Sequence, residues 1–446
     1  MKLSTAAKWL GTPPVTHDVE FCTVSIDTRS LQPNDLFVAI TGANFDGHDF
    51  IGEATEKGAC AVITDRPVVT PLPQLQVVDT AQALGLLAQH HRAQFTIPII
   101  GITGSCGKTS TRALLASILS LHALTLCSER SFNNHIGLPL TLLRLNADHH
   151  YAVVEMGTNH VGEIAYLTQL AKPTIALITN AAAAHLEGLT SVEGVARAKG
   201  EIFQGLSPQG TAILNADDPY FSYWQTLIQP TQRLLHFSLT KPADVYAQNM
   251  TITAGKLCFT LITPQGETTI VLPLLGRHNV ANALAAATAA YAVDIPLTTI
   301  KKGLEQADAV SKRLNIHRLK NGIQVIDDSY NANPLSVQAA IFTLAEQSGN
   351  TCLVLGDMKE LGPEALRYHA EVGQLAKEKG IDQLYTYGEL SQAASAAFGV
   401  TAKHFNDQAA LITYLQQSLT APVTVLIKGS FSMRMDKVTQ ALLATV

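Results

Sequence analysis

The stretch that most constrains this chain runs from Ile97 to Leu119. The apolar run Ile97-Pro98-Ile99-Ile100-Gly101-Ile102 leads into Thr103-Gly104-Ser105-Cys106-Gly107-Lys108-Thr109-Ser110, and from Ala113 apolar residues recur at helical spacing to Leu119. Strand, glycine turn and helix in that order define an α/β unit with the turn at the carboxyl end of the strand. Such a turn suits a polyphosphate. Glycines let the phosphate approach the backbone, successive N–H groups point into the turn, and the helix start carries partial positive charge. Lys108 is placed to reach the terminal phosphates and the Thr109 hydroxyl to bind Mg²⁺. Full Walker spacing is not met, because Ile102 stands where the first glycine is expected, leaving Gly104-x-x-Gly107-Lys108-Thr109. A Gly-Lys-Thr run alone can be a chance turn; the flanking strand and helix make this one a nucleoside-triphosphate site, with Gly104, Ser105, Cys106, Gly107, Lys108, Thr109 and Ser110 around the phosphates.

A chain of 446 residues has room for about three domains. With 47% hydrophobic and 15% charged residues it has the composition of a soluble globular protein, and a net charge of −5 gives no reason to expect nucleic acid as a partner. Cys22, Cys60, Cys106, Cys127, Cys258 and Cys352 show no paired metal spacing and read as reduced thiols of a cytoplasmic protein. Lys8 interrupts any apolar core of a signal peptide, and no apolar run reaches the ~18 residues that span a bilayer.

Taken in order, residues 1–80 read as a small α/β domain, with strand character at Phe21–Ile26, Leu36–Ile40, Ala59–Ile63 and Leu75–Val78. Two polar knots stand out there, Asp27-Thr28-Arg29 and the loop from Gly42 through Phe45-Asp46-Gly47-His48 to Phe50. Each is either a plain turn or a holder for a diphosphate, with Phe45 near a base. Residues 81–311 form the nucleotide domain, a mostly parallel, doubly wound sheet with ligands at the carboxyl ends of its strands. Glu155 sits at such an end and either binds Mg²⁺ or caps the next helix. His185 follows another strand and alone reads as a structural histidine, while Lys199 alone reads as a solvated helix charge. The alternating stretch from Val245 to Pro273 reads as an antiparallel insertion, after which Gly276-Arg277-His278-Asn279 opens an alanine-rich helix. Residues 312–446 alternate strand and helix as a Rossmann-like domain without the dinucleotide fingerprint. Polar groups gather at three of its strand ends, Asp327–Pro334, Gly356-Asp357-Met358 and Lys428-Gly429-Ser430, and imply a binding face.

At this point the chain resembles the Mur ligase family over essentially its full length. The resemblance rests on Gly104–Thr109, Asn133-Asn134-x-Ile136-Gly137-x-Pro139, Gly162-Glu163-Ile164 and Ala184-His185-Leu186-Glu187-Gly188. It continues in Ala198-Lys199-Gly200-Glu201-Ile202, Leu214-Asn215-Ala216-Asp217-Asp218, Gly276-Arg277-His278-Asn279 and Asp327-Asp328-Ser329-Tyr330-Asn331-Ala332-Asn333-Pro334. The last run, with Leu355-Gly356-Asp357-Met358-x-Glu360-Leu361-Gly362, singles out the member that adds D-alanyl-D-alanine to a UDP-N-acetylmuramoyl-tripeptide. The Asp-Asn-Pro-Arg run of the diaminopimelate-adding relative is absent.

The resemblance implies three α/β domains and an ATP-dependent, ADP-forming amide ligase of peptidoglycan synthesis, acting as a cytoplasmic monomer through an acyl phosphate. Its alternatives are a relative that adds another amino acid and a non-catalytic ATP-dependent switch protein. Asp27, Thr28, Arg29, Gly42, Phe45, Asp46, Gly47, His48, Asn133 and Asn134 would then bind the UDP substrate. Lys108 would hold the ATP phosphates, Thr109 and Glu155 one Mg²⁺, and His185 a second Mg²⁺ together with a carbamate on Lys199. His278 and Asn279 would lie by the adenine, and Arg313, Asp328, Tyr330 and Asn331 would close over the nucleotide. Arg112 and His135 depart from the family pattern and are expected outside the chemistry. Lys312 precedes Arg313 where glycine is usual, and Phe431 stands where an arginine commonly follows the serine.

Overall fold

The computed structural model describes residues 1–42, 44–129, 132–253 and 256–444; Ala43, in the loop singled out between Gly42 and Phe50, lies outside the described residues. The chain builds three sheets in sequence order. The first has four parallel strands, Val24–Ser25, Leu36–Val38, Ala61–Thr64 and Gln74–Gln76, side by side in chain order. Its two middle strands are buried throughout and read as continuous apolar runs, as strands covered on both faces do. Helix Thr80–Arg92 follows, its first turn capped by Asp79, which accepts from the Gln82 amide at 2.9 Å. Leu84 and Leu87 of this helix join the core of the first sheet and Ala88 that of the second, so one apolar face serves two cores.

Among the described residues the second sheet has nine strands, with Thr125–Cys127 at one edge beside Tyr151–Glu155. Ile99–Thr103, which carries the phosphate turn, lies between Tyr151–Glu155 and Ile175–Ile178, parallel to both. The chain leaves this central strand first to one side and then to the other, so the turn stands at the topological switch point where α/β sheets bind ligands. The sheet continues through Thr211–Asn215, Arg233–Ser238 and Val245–Thr253, all parallel, and ends in Lys256–Thr263 and Gly266–Leu272, which are antiparallel. The stretch expected to be an insertion is therefore the edge of the central sheet. Leu257, Phe259, Leu261, Ile270 and Leu272 point from it into the same core as Ile100 and Ile102. Over that core lies helix Arg277–Ala292, buried almost all round, its alanines permitting close approach to helix Lys108–Ser120.

The third sheet has the order Asn315–Arg318, Ile323–Asp328, Val423–Lys428, Asn350–Gly356, Gln383–Tyr387 and Ala402–Phe405, parallel except for its first strand. The three polar strand ends read from the sequence follow Ile323–Asp328, Val423–Lys428 and Asn350–Gly356, which are adjacent strands. No described helix is long and apolar enough to cross a membrane.

Candidate active site

The turn after Ile99–Thr103 owes its glycines to two close approaches. Gly104 has φ +150°, and a Cβ there would stand 1.8 Å from Thr179 Oγ1. Gly107 has φ +85°, and its Cβ would stand 2.3 Å from Asn282 Oδ1. The loop is fixed to the next strand end: the Ser105 and Cys106 amides donate to Asn180 O and Oδ1 at 3.0 and 2.9 Å, and Thr179 Oγ1 donates to Cys106 O at 2.6 Å. Helix Lys108–Ser120 starts at once, so its first-turn amides, which lack intrahelical partners, open onto the loop. Lys108 Nζ folds back to donate to Gly104 O at 2.5 Å; burial pushes its ammonium below the usual lysine range, and Glu155 counters that only in part.

Thr109 Oγ1 donates to Glu155 Oε2 at 3.2 Å and accepts from Arg313 Nη2 at 3.0 Å. Glu155 ends its strand with 1% of its side chain exposed, and its other oxygen is taken: Arg112 Nε donates to Oε1 at 2.6 Å while Nη1 donates to Ser128 O at 2.5 Å. Arg112, expected outside the chemistry, is thus bonded to a predicted metal ligand. It sits one helical turn after Lys108 and faces the same side of the helix. His135, expected outside as well, lines the cleft.

His185 adopts φ +56°, and its Nδ1 lies 2.5 Å from Glu360 Oε2 of the third sheet's loops. That pairing holds the Glu360 carboxyl below its usual range against the opposing effect of burial. A carboxylate on Nδ1 leaves Nε2 to face a metal. Lys199 lies on helix Val192–Gly200 and is 2% exposed, so it is no surface charge. Burial pushes its ammonium well below the usual lysine range, and the Lys108 charge adds to the effect.

The third sheet supplies the opposite wall. The Arg313 guanidinium stacks over the Tyr330 ring at 4.5 Å, and its Nε is a buried donor without a protein partner among the described residues, as a group awaiting an anion would be. Lys428 Nζ bonds Asp328 Oδ2 at 2.6 Å and Asn331 O at 2.9 Å, yet burial still raises the Asp328 carboxyl. Asn279 donates to Leu275 O at 2.7 Å, and burial, with Lys428 nearby, lowers the His278 imidazole to about 4. Cys106 Sγ reaches Asn333 Oδ1 at 3.2 Å across the seam.

One cleft of about 950 Å³ collects Ser105 to Ser110, Asn133, Asn134, His185, Lys199, His278, Asn279, Arg313, Asp328, Tyr330 and Asn331. Gly104 and Glu155 stand behind the loop that lines it. The first-domain residues lie outside this cleft. There Asp27 pairs with Arg29 at 2.6 Å, which lowers its carboxyl, while the Arg29 guanidinium stays largely in solvent. Thr28 is buried, its carbonyl accepting from Lys57 Nζ at 2.8 Å. His48 is buried between Asp46, 2.6 Å from Nδ1, and Asp65, 3.2 Å from Nε2, and Arg66 bridges both acids. Gly47 packs against Ile40, whose amide nitrogen a Cβ would meet at 2.7 Å. The Gly42 amide donates to Phe45 O at 2.9 Å, and the Phe45 ring is exposed. Sequence reasoning missed Asp65, Arg66 and Glu360, although Asp65-Arg66 follows strand Ala61–Thr64 and carries the strand-end signal used elsewhere.

Three family models match the chain in order: "Mur ligase family, catalytic domain" over residues 20–92, "Mur ligase middle domain" over 102–290, and "Mur ligase, glutamate ligase domain" over 312–431. The chain belongs to the Mur ligase family. Within it, the UDP-N-acetylmuramoyl-tripeptide--D-alanyl-D-alanine ligase of Escherichia coli is 46% identical, over 95% of this chain and 94% of that one. The Haemophilus influenzae ligase of the same name is 42% identical, over 94% and 93%. Among Mur ligase structures, MurF from Acinetobacter baumannii superposes with a TM-score of 0.91 at 34% identity, covering 98% of both chains. MurF from Thermotoga maritima in complex with ADP superposes with a TM-score of 0.85 at 25% identity, over 95% and 97%.

Proposed function

We infer that this Mur ligase joins D-alanyl-D-alanine to UDP-N-acetylmuramoyl-tripeptide at the expense of ATP, in peptidoglycan precursor synthesis. The observation that carries this reading is the single cleft in which the phosphate loop, Lys199, His185 and the third sheet's strand ends meet. Its chemistry is amide formation: the tripeptide carboxylate attacks the γ-phosphorus and ADP leaves, then the dipeptide amine attacks the acyl carbon and phosphate leaves. Two anions must meet in the first step. The helix-start amides, Lys108 and the open Nε of Arg313 bind and orient the phosphates against that repulsion. Asn133 and Asn134 line the same cleft and hold the tripeptide end of the substrate, while the first-domain knots hold its UDP end.

Mg²⁺ fits the donors present. Thr109 and Glu155 offer two oxygens 3.2 Å apart, and His185 turns Nε2 away from Glu360. Bound there, Mg²⁺ supplies Lewis-acid neutralisation of the phosphate charge. No group of three His, Cys, Asp or Glu placed to hold a metal lies among the described residues, and the Glu360 carboxylate beside His185 is engaged at Nδ1, so in this reading a second cation at His185 draws its oxygen ligand from a carbamate on Lys199. Burial favours the neutral Lys199 amine, the form that adds CO2 and releases a proton to give a carbamate oxygen ligand. The enzyme acts as a cytoplasmic monomer in this reading.

Competition among D-alanyl-D-alanine, free D-alanine and diaminopimelate at fixed UDP-tripeptide and ATP tests it, with products identified by mass. The dipeptide adduct should dominate. A product extended by one amino acid would replace this reading with that of another amino-acid ligase, and phosphate release that ignores the amine would replace it with a nucleotide switch.

A further inference from the structure

A dipeptide brings a terminal carboxylate as well as an amine, and a carboxylate taken into a cleft needs a cation or an equivalent set of donors. The third sheet's wall of the cleft carries three cations, Arg313, Lys428 and Lys359. Arg313 holds Thr109 and stacks on the Tyr330 ring, which leaves its open Nε on the phosphate side of the cleft. Lys428 is 3% exposed and closed in by Asp328 and Asn331. Phe431, the residue after Ser430, presents an exposed uncharged ring 6.1 Å from that of Tyr330.

Lys359 differs from the other two. It occupies the position left variable in the Gly356–Gly362 run, and its amide donates to Ser430 Oγ at 2.8 Å, which ties it to the Phe431 loop. Its Nζ donates to Asp357 Oδ2 at 2.9 Å, and its side chain remains 43% exposed. Asp357 is buried, with Oδ1 fixed by the Ser391 amide at 2.8 Å, so it holds the ammonium from one side only. An ammonium has three donors, and Asp357 uses one of them.

We propose that Lys359 receives the terminal carboxylate of the incoming dipeptide, in place of a cation at position 431, while the Phe431 and Tyr330 rings give its methyl side chains an apolar wall. The inference rests on the ligase reading above. Asp357 fixes the direction of the ammonium, and the bond from the Lys359 amide to Ser430 keeps the anchor beside the Ser430–Phe431 loop.

Steady-state kinetics with D-alanyl-D-alanine and with its C-terminal amide test this in wild type, Lys359→Met and Lys359→Gln, with Lys359→Arg as the conservative variant. Wild type should prefer the acid. Lys359→Met and Lys359→Gln should raise KM for the acid by roughly 10-fold, the scale of one part-exposed charge-assisted hydrogen bond, and leave KM for the amide and for ATP within about twofold. Lys359→Arg should keep the preference, and Phe431→Arg added to Lys359→Met should restore it. An undiminished preference in Lys359→Met, or an equal fall for acid and amide, overturns the assignment while the ligase reading stands. A wild type that joins neither dipeptide overturns both.

Discussion

The pair Arg112–Glu155 gives the sharpest test of how the phosphate loop is backed. Its N–O distance is 2.6 Å, with 14% and 1% of the two side chains exposed. Arg112→Met removes the guanidinium and leaves a carboxylate facing protein. Breaking one side of a buried pair costs about 3 kcal/mol, and the lost bond to Ser128 O adds ~1 kcal/mol. Glu155→Gln leaves a neutral acceptor of the same shape and should cost less, about 1–2 kcal/mol. Because the two side chains are in contact, the double variant should fall short of the sum by about 2 kcal/mol. Urea unfolding of the nucleotide-free protein, followed by circular dichroism, measures all four corners of this cycle. A coupling within about 0.5 kcal/mol of zero would show that Lys108 and Arg313 neutralise Glu155 without help, and would refute a distinct role for Arg112.

Two further outcomes follow from titratable groups lining the cleft. Lys199→Ala should lower turnover by at least ~100-fold and regain part of it with acetate, which returns an oxygen ligand; normal turnover would make Lys199 a bystander. His278 takes its proton near 6.5 when unfolded and near 4 when folded, so the unfolded state binds more protons between those values and stability falls as pH drops through that window. His278→Gln should therefore lose about 3 kcal/mol less than wild type between pH 7 and pH 4 in urea unfolding, and identical losses would contradict the lowered imidazole.

Legibility followed the range over which each feature is decided. Ile99–Lys108 was readable because strand, turn and helix start are settled within a dozen residues by apolar run, glycine and helical spacing. The alternation at Leu257, Phe259 and Leu261 correctly gave an antiparallel strand, but a period of two reports which face is buried and not which strand lies beside it. Hence the edge of the central sheet read as an insertion. Lys199 read as a surface lysine on its own, since its helix spacing says nothing of the cleft that two sheets later close around it. Arg112 and Glu360 have partners set by tertiary contact with distant segments, and no local pattern could have paired them. Family resemblance proposes a role for Lys199 and none for Arg112, because a departure from a pattern carries no geometry.

The contacts across the seam between the two walls explain why the site is built from two domains. Arg313 reaches Thr109, Glu360 reaches His185, and Asn333 reaches Cys106. Each third-domain residue ends on the Gly104–Thr109 turn or on His185, so the wall that carries Lys359 and Ser430 is positioned by bonds to the proposed phosphate site. Those bonds are few and partly exposed, and together contribute only a few kcal/mol. That is the scale of a domain-closure equilibrium, on which a nucleotide touching both walls exerts a decisive bias. Arg313 is the pivot of the seam, since its Nη2 already holds Thr109 while its Nε has no protein partner among the described residues. A phosphate oxygen that fills the Nε position adds to the seam rather than competing with it. On the ligase reading, a nucleotide bound there would strengthen the seam that also positions the wall carrying Lys359.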